Sequence, residues 1–330
     1  MRFLLLVVLL LLSAPVSFSQ NVDQDDVIRV ETDVTNLPFT AMDKEHRFIT
    51  TLRAEDVRVL EDGVPQTLFT FQQETDKPLA IAFLIDVSFS QESSLPEAKA
   101  AVRTFVEKVI HSNRDQVALI PFTGFAYLEQ PLTRDVLSVF RVLQTIEVAA
   151  PAYLGSGKPL TGIPTGPRLP GPPNEASTAI WDAVGLTSTN VLAKVPGLRR
   201  RAIILLSDGI NTSSRLSQKE AINRALAAET VIYTIGIGSV RDGLDRIALK
   251  DLAQRTGGRA FFPDKKFDLN AAFAEIEQEL RTQYLIAYSS TNKKRDGAYR
   301  KITIEITNPE LRQQKLELRH RPGYFAKSAQ

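Results

Sequence analysis

The 330-residue chain contains no cysteine. This excludes disulfides, thiolate zinc sites and a lipid-anchored cysteine. A chain of this length can bury a core large enough to stand without such staples. Histidine is almost as scarce: His46, His111 and His320 are scattered and form no H-E-x-x-H pair, and no G-x-S-x-G elbow exists. Neither sign of charge dominates, with 40 basic and 38 acidic residues and a net charge of +2. That balance offers no electrostatic footprint for a nucleic-acid partner. Long apolar runs are lacking with one exception, Leu4 to Leu12 in "MRFLLLVVLLLLSAPVSFSQ". It follows Arg2, is too short to span a bilayer well, and precedes small residues at Ser17 and Ser19. A signal peptide over residues 1–19 is therefore expected, with no transmembrane segment after its cleavage and a secreted or periplasmic destination.

Phosphate-loop and dinucleotide readings also fail. "GSGK" at 155–158 has Ala152 and Pro159 where the phosphate loop needs glycine and a hydroxyl. "GIGSVR" at 236–241 lacks a third glycine. Asn211-Thr212-Ser213 is a glycosylation triplet of a kind common by chance, "LRRR" at 198–201 reads as a solvated edge, and Trp181 reads as core.

What is present divides into three stretches. Residues 20–77 alternate apolar and polar, with a turn at Asp62-Gly63, and read as an N-terminal β-domain. From 78 to 285 the pattern changes. "LAIAFLID", "QVALIPFT", "RAIILLSDG" and "TVIYTIGIG" are continuous apolar runs, typical of strands covered on both faces. Helical periodicity fills the intervals: after Ser94, where Ser94-x-x-Glu97 suggests a capping box, over Ser177–Val191, over Ser217–Ala228, over Leu249–Arg255 and around Leu269–Leu280. The expected fold is α/β, a doubly wound and mostly parallel sheet, flanked by β-rich segments that can pack as a β-sandwich. A proline- and glycine-rich stretch at 149–175 interrupts it as a long loop, and residues 286–330 return to strand patterning.

Ligands of such sheets bind outside the carboxyl ends of the strands. Asp86 closes the first apolar run, followed by Ser88 and Ser90 at alternate positions, and Asp208 closes another. Two carboxylates at two strand tips, with hydroxyls beside them, can share one hard cation. "DVSFS" at 86–90, Thr178 in "ASTAIWDA" and Asp208 in "SDG" resemble the metal-ion-dependent adhesion site of von Willebrand factor type A domains over residues 79–285. That resemblance implies Ser88, Ser90 and Thr178 as direct or switchable ligands and Asp86 and Asp208 acting largely through water. It also implies Mg2+, with Mn2+ or Ca2+ as substitutes, and a protein partner offering Asp or Glu to the metal. "RAEDVRVLEDGVPQTLFTF", "LAQRTGGRAFFP" and "HRPGYFA" further resemble secreted bacterial proteins, common in Acidobacteria, that set a type A domain between β-rich flanks. Phe89 and Gln91 stand where family members often have glycine and methionine. A metal-dependent binding module, not an enzyme, is the leading expectation. A metal-assisted hydrolase and a scaffold without functional metal are its alternatives. Against the hydrolase stands Ser88, where a nucleophilic-aspartate phosphatase usually has a second Asp.

Overall fold

The computed structural model describes residues 34–73, 77–111, 113–149, 166–169, 178–197, 199–238, 243–263 and 266–328, with only the backbone at 266–268. The expected signal peptide and most of the proline- and glycine-rich loop lie outside the described residues.

The chain begins and ends in β structure. Strands β1 (Val34–Met42), β2 (Val57–Glu61), β3 (Val64–Pro65) and β4 (Leu68–Gln73) precede the first apolar run, β5 (Leu79–Asp86). The middle continues as α1 (Leu95–Val109), β6 (Gln116–Phe122), β7 (Gln130–Thr133), α2 (Val136–Thr145), α3 (Ile180–Thr187) and β8 (Arg200–Ser207). It then runs through α4 (Gln218–Ala227), β9 (Thr230–Gly236), α5 (Arg246–Thr256), β10 (Ala260–Phe261) and α6 (Lys266–Arg281). Strands β11 (Tyr284–Ser289), β12 (Tyr299–Ile306), β13 (Glu317–His320) and β14 (Gly323–Phe325) close the chain, with the short α7 (Pro309–Gln313) after β12.

The central sheet has the order β10-β9-β8-β5-β6-β7, parallel throughout except for the β6–β7 pair. The order reverses between β5 and β8, whose crossovers leave in opposite directions. Every residue of β5 is buried, because helices cover both faces. Ile81, Phe83 and Ile85 pack with residues of α1, α2 and α6, while Ala80, Ala82 and Leu84 pack with residues of α3, α4 and α5. Phe83 meets Phe105 edge-on at 5.6 Å between ring centres. A strand covered this way reads as a continuous apolar run because it has no solvent face. Trp181 lies in the second of these cores.

The flanks interleave. The sheet β13-β1-β11-β4 faces the sheet β14-β12-β2-β3, and every neighbouring pair is antiparallel. Leu37 and Phe39 of β1, Val59 of β2, Ile286 of β11 and Ile302 of β12 share one core between them. Each sheet therefore mixes strands from before and after the central sheet. The Asp62-Gly63 turn joins β2 to β3, with positive φ at both residues.

Local expectations differ from the structure at three places. Ser94 and Glu97 form no capping box: Ser94 has helical backbone angles and its hydroxyl donates to Gln91 Oε1 at 2.7 Å. The helix expected over Ser177–Val191 starts at Ile180 and passes at Ser188 into a π-helical stretch reaching Leu192. "LRRR" is not a solvated edge, since Arg200 is 9% exposed and its guanidinium donates to the Leu280 carbonyl in the last turn of α6. A free carbonyl at a helix C-terminus is a natural partner for a cation.

"QRTGGRA" shows how sequence fixes a close approach. Gly257 ends α5 in the left-handed region, φ +89°, where glycine carries no Cβ penalty. At Gly258 a Cβ would stand 2.0 Å from the Ile232 carbonyl oxygen of β9. Gly258→Ala is expected to destabilise the protein by about 2–3 kcal/mol, the upper range for a forced backbone shift. Urea denaturation of parent and variant measures it.

Candidate metal centre

Asp86 stands at the tip of β5 and Asp208 follows directly on β8, so the order reversal brings both carboxylates to one edge. Ligands of open α/β sheets bind at this kind of point. A run of close oxygen–oxygen contacts joins them. Asp86 Oδ1 accepts from the Ser88 backbone N–H at 3.0 Å and from Ser88 Oγ at 2.6 Å. Ser88 Oγ lies 3.1 Å from Ser90 Oγ, which donates to Asp208 Oδ2 at 2.8 Å. Four of the five expected residues therefore form one oxygen-rich cluster. Ser88 is the N-cap of a single 3-10 turn, Phe89–Gln91, and this turn folds Ser90 back toward Asp208.

Two residues that the motif did not single out complete the cluster. Ser207 Oγ donates to Asp86 Oδ2 at 2.6 Å, and Gln91 Nε2 donates to Asp208 Oδ2 at 2.9 Å. Ser207 could have been found from "SDG", as the hydroxyl just inside the strand end. Gln91 replaces the methionine frequent in the family, and that departure was its signal.

The fifth residue, Thr178, precedes α3 and is tied by its backbone to the loop that follows Asp208, not to the cluster itself. Its N–H donates to Thr212 Oγ1 at 2.8 Å, and its carbonyl accepts from the Thr212 N–H at 2.9 Å. The same loop caps α3: Asn211 Oδ1 accepts from Ile180 N–H at 2.9 Å and Ser214 Oγ from Trp181 N–H at 2.9 Å. Asn211, Thr212 and Ser214 thus seat the threonine loop against the loop that carries Asp208. Two residues of the glycosylation triplet, Asn211 and Thr212, thus have a structural role.

Glycine shapes the Asp208 side. Gly209 has φ +82°, and a Cβ there would meet the Asp245 carbonyl oxygen at 2.8 Å. The Asp208 carbonyl accepts from Asp245 N–H at 2.8 Å, and its Oδ1 accepts from Ile210 N–H at 2.9 Å.

Asp86 is fully buried. Desolvation pushes its carboxyl up to about 6; hydrogen bonds from Ser207 and Ser88 oppose this, and the charge of Asp208 adds to it. The donor set is oxygen only. Among the described residues no group of three or more His, Cys, Asp or Glu gathers anywhere. Two carboxylates supplemented by neutral hydroxyls suit a hard divalent cation and not a soft one.

The raised Asp86 value fixes a pH dependence. The folded state holds this proton more tightly than the unfolded state, whose carboxyl titrates near the ordinary value of 3.8. Stability is therefore lost as pH rises from that value through about 6, by an amount on the order of 3 kcal/mol. In chelator, the urea midpoint of the parent is expected to fall between pH 5 and pH 7.5 relative to Asp86→Asn. Parallel pH profiles for the two proteins would contradict this.

No family model matches the sequence. An uncharacterized protein of Borreliella burgdorferi is 22% identical over 226 residues, a match covering 63% of this chain and 58% of that protein. The chain thus spans less than two thirds of that relative. Among solved structures, an aerotolerance-related membrane protein of Bacteroides fragilis aligns with a TM-score of 0.46 at 19% identity, over 61% of this chain and 98% of that one. Proximal thread matrix protein 1 of the mussel byssus, with a zinc-occupied MIDAS motif, aligns with a TM-score of 0.49 at 17% identity, over 67% of this chain and 50% of that one. By its own strand order, with Asp86 and Asp208 at the reversal point, the central sheet has the doubly wound α/β fold expected from the resemblance to von Willebrand factor type A domains, set between two interleaved β flanks.

Proposed function

We propose that the protein is a metal-dependent binding module of the bacterial envelope, periplasmic or secreted. One divalent cation, Mg2+ ahead of Mn2+ or Ca2+, would be held by Ser88, Ser90 and Thr178, with Asp86 and Asp208 behind them. Bound there, the cation supplies an electrophilic centre for an incoming Asp or Glu carboxylate of a partner protein. The observation that carries this reading is the cluster of oxygens from Asp86, Ser88, Ser90 and Asp208 across the reversal point, with the two serine hydroxyls 3.1 Å apart.

The chemistry of the chain's own residues favours binding over hydrolysis. Asp86 is fully buried and its two oxygens accept three hydrogen bonds. Asp208 is 4% exposed and accepts from Ser90, Gln91 and Ile210. Both carboxylates are largely committed to hydrogen bonds within the chain, which counts against a general-base role. The rim also suits a protein partner. Phe89 is 48% exposed between the two serines, an aromatic anchor of the kind that dominates interface energetics. Among the described residues no helix is long and apolar enough to cross a membrane.

Calorimetric titration of Mg2+ and then Mn2+ tests the metal. The parent is expected to saturate and Asp86→Ala to show no saturation. Ser207→Ala and Gln91→Ala, which only orient the carboxylates, should weaken binding by about 10–100-fold. Equal titrations of the parent and Asp86→Ala would refute the site. Phe89→Ala should leave the Mg2+ titration unchanged while lowering retention of proteins that the parent captures in Mg2+ and releases in chelator.

A further inference from the structure

The opposite end of the central sheet holds a second feature. The first residues of β8 and β9 face strands β1, β4 and β11 of the sandwich across a cavity of about 390 Å3. Its wall carries five basic side chains, Lys77, Arg199, Arg200, Arg201 and Arg321, and one acid, Glu229. The whole chain has a net charge of only +2, so this imbalance is local. Glu229 is already engaged, accepting from Asn36 Nδ2 at 3.1 Å and lying 3.7 Å from Arg201.

Two of the arginines are short of partners. Arg321 is 9% exposed; its Nη2 donates to the Asn36 carbonyl at 2.8 Å, and its Nε has no hydrogen-bond partner among the described residues. Arg201 donates through Nη1 and Nη2 to the carbonyls of Ala228 and Val195, while its buried Nε likewise has none. Guanidinium groups stay protonated when buried, so desolvation here leaves positive charge incompletely balanced. The rest of the wall mixes apolar residues, Pro38, Leu226, Val231, Leu280, Leu285 and Ala287 among them, with uncharged polar ones such as Thr70 and Gln283. A second cavity of about 530 Å3 shares Val34, Asn36, Leu226, Glu229 and Arg321 with the first. Lys293, Lys294, Arg295 and Lys327 line it, so the approach is basic as well. A concave site of a few hundred Å3 with apolar walls and a few convergent polar groups has the form of a small-ligand pocket.

We propose that the first cavity binds an amphiphilic organic anion, a carboxylate or phosphate monoester on an aliphatic or aromatic body. The anionic head pairs with Arg201 and Arg321, and the body lies against Leu226, Leu280 and Leu285. The site is separate from the sheet edge that carries Asp86 and does not depend on its metal.

Isothermal titration of the full chain with octanoate, octyl phosphate, inorganic phosphate and octyl glucoside, each below its micellar concentration, tests this. At least one of the two octyl anions is expected to saturate at one site per chain, and the stronger names the head group. Inorganic phosphate should bind at least ten-fold more weakly than that anion, and the neutral glucoside should not saturate. Arg321→Gln should weaken the octyl anion at least ten-fold. Thr70→Trp, which fills the cavity from the half-buried edge of β4, should do the same if the arginine variant fails to fold; circular dichroism checks both. The proposal is overturned if neither octyl anion saturates, if phosphate or the glucoside binds as well as they do, or if a folded variant keeps the parent's affinity.

Discussion

A strand sealed on both faces in the middle of a sheet can offer chemistry only at its ends, and β5 is such a strand. All eight of its residues are buried. Its last residue is a carboxylate, and the apolar walls that hold β5 rigid also strip water from Asp86. Three donors, the Ser88 N–H and hydroxyl and the Ser207 hydroxyl, satisfy its oxygens without cancelling its charge. Asp208 stands beyond two hydroxyls, those of Ser88 and Ser90, and adds repulsion. The fold thus holds negative charge at a dry edge with hydrogen bonds alone. A cation bound there, as proposed, would relieve that tension.

The β flanks give this edge a fixed base. Each of their sheets combines strands from before and after the central sheet, so neither is complete without both. Buried polar groups tie the two cores. Glu279, in the last turns of α6, accepts from Tyr233 of β9 at 3.4 Å and from Arg319 of β13 at 3.3 Å. Inside the sandwich Glu61 is 2% exposed and accepts from the hydroxyls of Tyr288, Tyr324 and Ser290. Buried carboxylates persist only when hydrogen-bonded, and their fixed directions then specify one arrangement of the elements that donate to them.

What the sequence revealed follows from which interactions are local. Continuous apolar runs mark the central strands because burial on two faces is a property of each strand alone. Asp86, Ser88 and Ser90 lie within five residues, so their alignment was readable as a motif. The partners of the flanking strands were not readable: β1 pairs with β11 about 250 residues away, and alternation says nothing of register at that range. Arg200 misled as part of a charge run, because its partner, the Leu280 carbonyl, belongs to a helix end 80 residues distant. Ser94 misled because a capping box is defined by spacing, whereas its hydroxyl was taken by Gln91, a side chain set by the turn before it.

The same division between local and distant explains how the fifth candidate residue is placed. Thr178 follows a stretch rich in proline and glycine, which offers no local motif to fix it. Its backbone is held instead by Thr212, while Asn211 and Ser214 of the same loop cap the helix that Thr178 precedes. That loop begins at Asp208, whose carbonyl is bound to Asp245 at the start of α5. Asp208, the clasp at 211–214 and Thr178 therefore form one backbone-linked piece carried on loops. Asp86 belongs to a strand that cannot move without opening two cores. The two halves meet through the side chains of Ser88, Ser90, Gln91 and Ser207. A ligand that draws oxygens from both halves would lock a loop-borne piece onto a rigid strand, so the energetic consequence of binding falls on the loops after β8 and before α3.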